Sequence, residues 1–252
     1  MKKYDKLLNF ILPITTILCI LIIWSVGAVI ADSEYILPSV KDTAKEFFAL
    51  FSNKKFYTAL AFTTFRSIIA FLLSFSISSI LAFLSSKSKI AERLILPLIA
   101  TIRALPTLAI ILLLLFWTNN RVAPIVVTML VVMPTSYTHV KSALDTVDKT
   151  SVEAGKVDGA GRYSIFFRIE LPQIAPSIFS AVGSGLSLNF KLMVAAEVLS
   201  ATIKSLGSLL NNASFNAQVA KMLGIVVVVI ALGIIIEFIF NKLSQKSGSW
   251  RE

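Results

Sequence analysis

Cysteine is all but missing. Cys19 stands alone within an apolar run, so neither a disulfide nor a thiolate metal site can be built from this chain. Histidine is as scarce: His139 has no second His or Cys near it, which leaves no metal ligand set. Glycine never occurs in a G-x-x-x-x-G-K-[ST] run. Gly155, Gly159 and Gly161 lack the following Lys and come after a helical rather than a strand pattern, so any ATP is expected to bind elsewhere. Ser and Lys are plentiful, but no spacing pairs a nucleophile with its base. No catalytic residue, cofactor site or metal site is expected. Charge is sparse too, at 15% of 252 residues, while 56% are hydrophobic. No soluble domain of this length hides so much apolar surface, so the bilayer is expected to be the solvent. A net charge of +10 would suit nucleic acid, but the basic residues are scattered among apolar runs without a basic, aromatic-laced stripe.

What is present is a series of long apolar runs. Leu7 to Ala31 carries no charge and is long enough to cross the roughly 30 Å hydrocarbon core. It exceeds the about 7–15 apolar residues of a signal peptide, so it reads as a retained anchor. Between Asp32 and Tyr57 the chain turns polar, and Ser39 with Asp42 opens an amphipathic helix bearing Val40, Ala44, Phe47, Phe48 and Phe51. Thr58 to Leu84 is a second span, with Arg66 near its start and Ser74, Ser76, Ser78 and Ser79 suited to close helix contacts. Pro97, Arg103 and Pro106 interrupt the third, which should be kinked or two-part with its full-length apolar portion at Leu105 to Trp117. Asn119-Asn120-Arg121 is a tight turn. Val122 to Val140 is a fourth span kinked by Pro134, Ile174 to Ala201 a fifth, Lys204 to Lys221 a loop, and Met222 to Phe240 a sixth.

The polar stretch Glu153 to Pro172 is set between these runs. Thr150 three residues before Glu153 makes a capping box, so a short helix should begin there. Gly159 to Gly161 allow the chain to turn. A second amphipathic turn follows with Phe166, Phe167 and Ile169 between Arg162, Arg168 and Glu170, and Pro172 is expected to stop it. The whole reads as helix, glycine turn, helix: an arm for a partner to grip.

Ionisable residues inside spans cost several kcal/mol unless they face a cavity or another subunit. Lys191 and Glu197 lie six residues apart, about 240° around a helix, so they should not pair directly. Either they line a pathway or dimer seam, or Glu197 sits at the membrane interface while Lys191 helps orient helices. Arg103 beside Pro106 poses the same question.

Glu153, Ala154, Gly159, Ala160, Phe167, Ile169, Leu171, Pro172 and Pro176 match a known pattern. It is the EAA loop of ABC importer permeases, E-A-A, three residues, G, then I-x-L-P. Arg103-Ala104-Leu105-Pro106, Leu108-Ala109 and Ala195-Ala196-Glu197-Val198 resemble the nitrate, sulfonate and taurine type in particular. The resemblance covers roughly Thr58 to Phe240. Gly155 departs from the usual Ala, which should loosen the helix by about 1 kcal/mol. Trp117-Thr118 departs from a frequent Phe-Gly pair.

The resemblance implies an all-α polytopic membrane protein with six transmembrane helices of the type I ABC importer permease kind and a cytoplasmic coupling-helix loop. Its parts would be a cytoplasmic N-terminus (1–6), a first span with an outer amphipathic segment (7–57), a permease core (58–240) holding the EAA loop (145–172), and a cytoplasmic tail (241–252). ATPase coupling would fall to Glu153, Ala154, Gly155, Val157, Asp158, Gly159, Ala160, Phe166, Phe167, Leu171 and Pro172, and the pathway to Arg103, Pro106, Lys191 and Glu197. The implied partners are a second permease copy, cytoplasmic ABC ATPase subunits, an extracytoplasmic substrate-binding protein and membrane lipid, in a prokaryotic inner membrane. The cargo would be a small solute of the sulfonate, nitrate, taurine or vitamin-precursor class. Six spans put both termini and the loop on one face, where fourteen Lys and Arg residues fall against seven opposite, so that face is read as cytoplasmic. An ion-coupled secondary transporter using Lys191 and Glu197 is the alternative, although no internal repeat supports it.

Overall fold

A computed structural model describes residues 2–248, with side chains from residue 11 onward, Pro13 excepted. The Lys2, Lys3 and Lys6 side chains and Arg251, which enter the charge count, lie outside the described residues. Every regular element among the described residues is helical. Among the described residues, five helices are long and apolar enough to cross a membrane, or six if one bent pair counts as a single span. The chain falls into two compact units, Met1–Tyr57 with Leu209–Val228, and Thr58–Ser208 with Val229–Glu252.

The first unit begins with α1 (Lys2–Ala31). Asp32, at φ 44°, ends it in a conformation few non-glycine residues adopt. The indole N–H of Trp24 donates to the Pro38 carbonyl at 3.0 Å and folds the following loop back on α1. Ser39 then caps α2 (Val40–Leu50), accepting from the Asp42 N–H at 3.1 Å while its hydroxyl donates to the Asp42 carboxylate. Phe47, Phe51, Phe56 and Tyr57 run edge to face, with centroids 5.2–5.6 Å apart. Gly224 lets its helix approach closely, since a Cβ there would lie 3.1 Å from the Phe47 nitrogen.

The second unit carries α3 (Lys54–Lys87) from Thr58 onward, then α4 (Lys89–Ala104) and α5 (Thr107–Trp117). Ser74 and Ser78 are buried, and the Ser78 hydroxyl donates to the Met133 carbonyl of α6 (Ala123–Asp145) at 2.8 Å. Between α4 and α5 the path bends by 90°. The break falls at Leu105 and Pro106, whereas Pro97 sits inside α4 without ending it. The expected full-length portion after Leu105 is corrected by this: α5 has 11 residues, about 16 Å, too short to cross the bilayer alone. The Asn119 side chain accepts from the Arg121 and Val122 N–H groups and closes the turn into α6.

After α6 come α7 (Lys149–Val157), α8 (Arg162–Ile165), a π-helical turn (Phe166–Glu170) and α9 (Leu171–Leu199). α9 is the centre of this unit. It packs along α6, and its small residues admit neighbours: a Cβ on Gly183 would meet Phe240 at 2.6 Å, and one on Gly185 would meet Phe71 at 2.9 Å. Asn189, fully buried, donates to the Ser67 carbonyl and hydroxyl at 2.7 Å each. The stretch expected as a loop from Lys204 holds α10 (Leu206–Phe215), and α11 (Val219–Gly248) outruns the expected end at Phe240.

Candidate functional site: the arm and the helix it feeds

Two expectations about the arm are corrected. Asp148, not Thr150, caps α7: its carboxylate accepts from the Thr150 N–H at 3.0 Å and the Ser151 N–H at 3.2 Å, leaving Thr150 inside the helix. Nor does Pro172 stop a helix. The path from Arg162 to Leu199 is continuous, because a π turn just upstream, closed by the Leu171 N–H on the Phe166 carbonyl, widens the helix where the proline ring would crowd the carbonyl four residues back. The glycine turn is as the sequence reads it: α7 ends at Asp158, and Gly159 takes φ 76° with nothing within 4 Å of where a Cβ would stand.

Gly155 is buried, and a Cβ there would lie 2.7 Å from Ile169 Cδ1 and 3.6 Å from Ile165. The missing methyl therefore lets α7 lie directly against α8 and the π turn, rather than only loosening α7. Gln173 accepts from the Asp148 N–H at 2.8 Å and ties the start of α7 to α9. The exposed surface is mixed, with charged residues and three large apolar side chains. Val157 is 86% exposed, Tyr163 84% and Phe167 59%. Glu153, Ala154, Asp158, Leu171 and Pro172 are also exposed, with Ala160 and Phe166 half-buried. Beside the arm lies a groove of about 700 Å³, walled by Phe83, Lys87, Lys156, Arg162 and Phe166.

The Ser151 hydroxyl, followed by the N–H of Thr150, holds the Asp148 carboxyl below its ordinary value. A lowered pKa means the cap acts above the unfolded carboxylate value and is lost as pH falls through the folded one. Amide exchange at Thr150 and Ser151 is expected to accelerate, beyond its intrinsic pH dependence, across that acidic range, and Asp148→Asn should remove the pH-dependent part. Equal profiles for the two proteins would show that the carboxylate is not the cap.

Residues 74–248 match the family model described as binding-protein-dependent transport system inner membrane component. The chain belongs to that family. Among its relatives, a probable ABC transporter permease protein of Brucella abortus (strain 2308) is 25% identical over 223 residues, covering 88% of this chain and 89% of that one. The putative aliphatic sulfonates transport permease protein SsuC of Escherichia coli K12 is 28% identical, covering 87% and 81%. A crystal structure of a bacterial alginate ABC transporter, in complex with an alginate pentasaccharide-bound periplasmic protein, has a chain of the same fold. The TM-score is 0.62 at 18% identity, over 98% of this chain and 96% of that one. This protein is thus an integral, multi-pass membrane subunit of an ABC importer, similar in sequence to permeases of the sulfonate type. It is non-catalytic, since ATP hydrolysis in these transporters belongs to a separate subunit.

The permease's intramembrane charges separate into two environments. Glu197 is fully buried. Its Oε1 accepts from Arg66 Nη1 at 2.8 Å and its Oε2 from the Thr63 hydroxyl at 2.8 Å, with the Gly207 N–H at 3.5 Å. Arg66, Thr63 and Gly207 were not singled out as partners from sequence; the signal was Arg66 as the single charge within the second apolar run. Lys191 and Arg103 are exposed. The Lys191 stem crosses α11 at Gly233, where a Cβ would meet its Cε at 3.0 Å, and Arg103 donates to the Thr138 hydroxyl at 3.0 Å. Pro106 is exposed at the bend.

Around Lys191 the exposed side of α9 reads Ser177, Ser180, Ser184, Leu188, Lys191, Ala195, a stripe within about 80° of one helix face. The exposed sides of α5 and α11 are different in kind, with Leu112, Phe116, Ile234, Ile235, Phe238 and Ile239. Hydrocarbon suits the second set. An ammonium group is costly against lipid, and the hydroxyls extend the same polar face, although Ser184 also donates to the Ser180 carbonyl of its own helix at 3.1 Å. Next to the stripe His139 and Ser142 of α6 help wall a cavity of about 420 Å³ with Ser177, Ser180 and Ser184.

Proposed function

We propose that this permease docks its ATPase through the arm of α7, Gly159 and α8, and that two copies form the solute path between their α9 stripes. The observation that carries the docking reading is the high exposure of three large apolar side chains, Val157 before the turn and Tyr163 and Phe167 after it, with open space about Gly159. Such exposure on a segment outside the apolar spans is what a protein partner covers. Glu153, Ala154, Asp158 and Ala160 shape the same surface, with Phe166, Leu171 and Pro172 at its base. The excess of Lys and Arg on the arm side supports a cytoplasmic arm and cytoplasmic termini.

For the path, the α9 stripe supplies the argument. Lys191 on that stripe, and Arg103 and Pro106 at the α4–α5 bend, are charged or backbone-irregular groups that favour water or a second subunit over lipid, and Ser177, Ser180 and Ser184 continue the polar face, Ser184 also donating to the Ser180 carbonyl of its own helix. A small anion of the sulfonate class fits a wall that carries hydroxyls and cations, and the separate binding protein delivers it from outside. Ion coupling through Lys191 and Glu197 has no comparable support, because Glu197 is closed in by Arg66 and Thr63.

Gly159→Asp tests the docking reading. Asp tolerates a positive φ better than most residues but adds a charged side chain at the turn. Extraction and co-purification from the native membrane should bring down an ATPase with the unchanged chain and several-fold less with Gly159→Asp, at equal membrane insertion. Equal recovery of the ATPase would rule the turn out as the contact.

A further inference from the structure

The segment that follows α9 is held unusually firmly. Thr202 donates to the Asn120 carbonyl at 2.6 Å and shares a 2.8 Å hydrogen bond with Ser200. Arg66 Nη2 reaches the Ile203 carbonyl at 3.4 Å. Ala201 and Lys204 take φ 49° and 50°, conformations that persist in non-glycine residues only where surrounding contacts impose them. The Leu206 N–H donates to Thr63 Oγ1 at 3.0 Å, and that hydroxyl donates onward to Glu197. Gly207 lies so close that a Cβ would stand 2.5 Å from Glu197 Cβ.

Of the N–H groups in the first turn of α10, that of Ser208 donates to Ser205 Oγ at 2.9 Å, while those of Leu206, through the Thr63 hydroxyl, and Gly207, at 3.5 Å, lead to one carboxylate, and that carboxylate belongs to α9. A carboxylate suits the positive end of a helix. It is also a costly choice at membrane depth, where an apolar contact would hold two helices as well. What the carboxylate adds is direction: Oε1 accepts from Arg66 of α3, and Oε2 accepts from Thr63, the α3 hydroxyl that also holds the Leu206 N–H of α10, with the Gly207 N–H at 3.5 Å.

We infer that Glu197 is a positioning residue which fixes residues 200–208 to the far end of α9, so that this segment moves together with the arm when the ATPase acts. The inference rests on the docking reading, since α9 is continuous with α8 of the arm. Thr63 is the link that can be altered most gently, because Thr63→Ser keeps the hydroxyl and Thr63→Val removes it at similar volume.

The test uses the full chain with its co-purified ATPase in vesicles. Cys19→Ser clears the native thiol and Ile203→Cys, at a half-exposed position, supplies a probe. Labelling by a membrane-impermeant maleimide is timed with and without a non-hydrolysable ATP analogue. In this background and in Thr63→Ser, the nucleotide should change the labelling rate several-fold. In Thr63→Val and Glu197→Gln the two rates should converge while the ATPase still co-purifies. A nucleotide response of full size in Thr63→Val would overturn the inference, whether or not Glu197→Gln folds. If the ATPase co-purifies and the probe in otherwise unaltered chain shows no response, the inference fails and docking stands. If no ATPase co-purifies, docking itself fails and takes this inference with it.

Discussion

Arg66→Met should unfold at a markedly lower temperature than the unaltered chain. The substitution leaves Glu197, with no solvent exposure, as a carboxylate whose strongest partner is gone. Breaking a buried pair from one side costs about 3–5 kcal/mol, because the remaining charge keeps its desolvation penalty without the attraction that offset it. Thr63 and the Gly207 N–H stay in place and soften the loss only in part. Arg66→Met with Glu197→Gln removes both charges and should recover most of the stability, since an amide still accepts from Thr63. Thermal melting of the detergent-purified proteins separates the cases. If single and double variants melt alike at the unaltered temperature, the pair is not buried as described.

Gly207→Ala should also be strongly destabilising, although alanine is the better helix former. The propensity gain in α10 is about 1 kcal/mol. Against it, the new methyl would lie 2.5 Å from Glu197 Cβ and 2.6 Å from both the Glu197 carbonyl carbon and the Val198 nitrogen. Two of those three atoms are backbone within α9, which cannot swing aside as a side-chain end can. Overpacking costs about 1–3 kcal/mol where neighbours adjust, and more where they cannot. The start of α10 should therefore be displaced, and limited trypsin digestion should cut faster after the exposed Lys204. Unchanged digestion and melting would mean that α9 and α10 are further apart than the structure places them.

The spans were legible because apolar runs of about 20 residues have few other readings. The turn at Gly159 was legible because only glycine enters that conformation without penalty. Other features depend on comparisons that a linear pattern does not make. Asp148, Thr150 and Ser151 are all good caps, and only geometry shows that the Asp148 carboxylate reaches two N–H groups. Pro172 signals a helix end unless the turn before it is widened, and no residue in Phe166–Glu170 announces a π turn. α10 carries Ser and Asn residues that favour loops, whereas its start is capped by Ser205 and held by Thr63 and Glu197 from other helices. Arg66 and Glu197 are far apart in sequence, and each alone looked like an isolated charge. The break of the third span was legible because Pro106 interrupts its apolar run, whereas its size of 90° was not; the expected full-length second part fails on length alone, since Leu105 to Trp117 spans about 20 Å as a helix, short of the bilayer's roughly 30 Å.

The uninterrupted path from Arg162 to Leu199 is 38 residues, about 57 Å at the rise of an α-helix and nearly twice the hydrocarbon thickness. If its two ends turn as one body, a helix of that length acts as a lever. Tilting it by about 5° around one end carries the other about 5 Å, close to one helical pitch. On the proposed docking, a partner that turned this helix at its α8 end would convert a small angular change there into a displacement at the Leu199 end comparable to the width of a small solute.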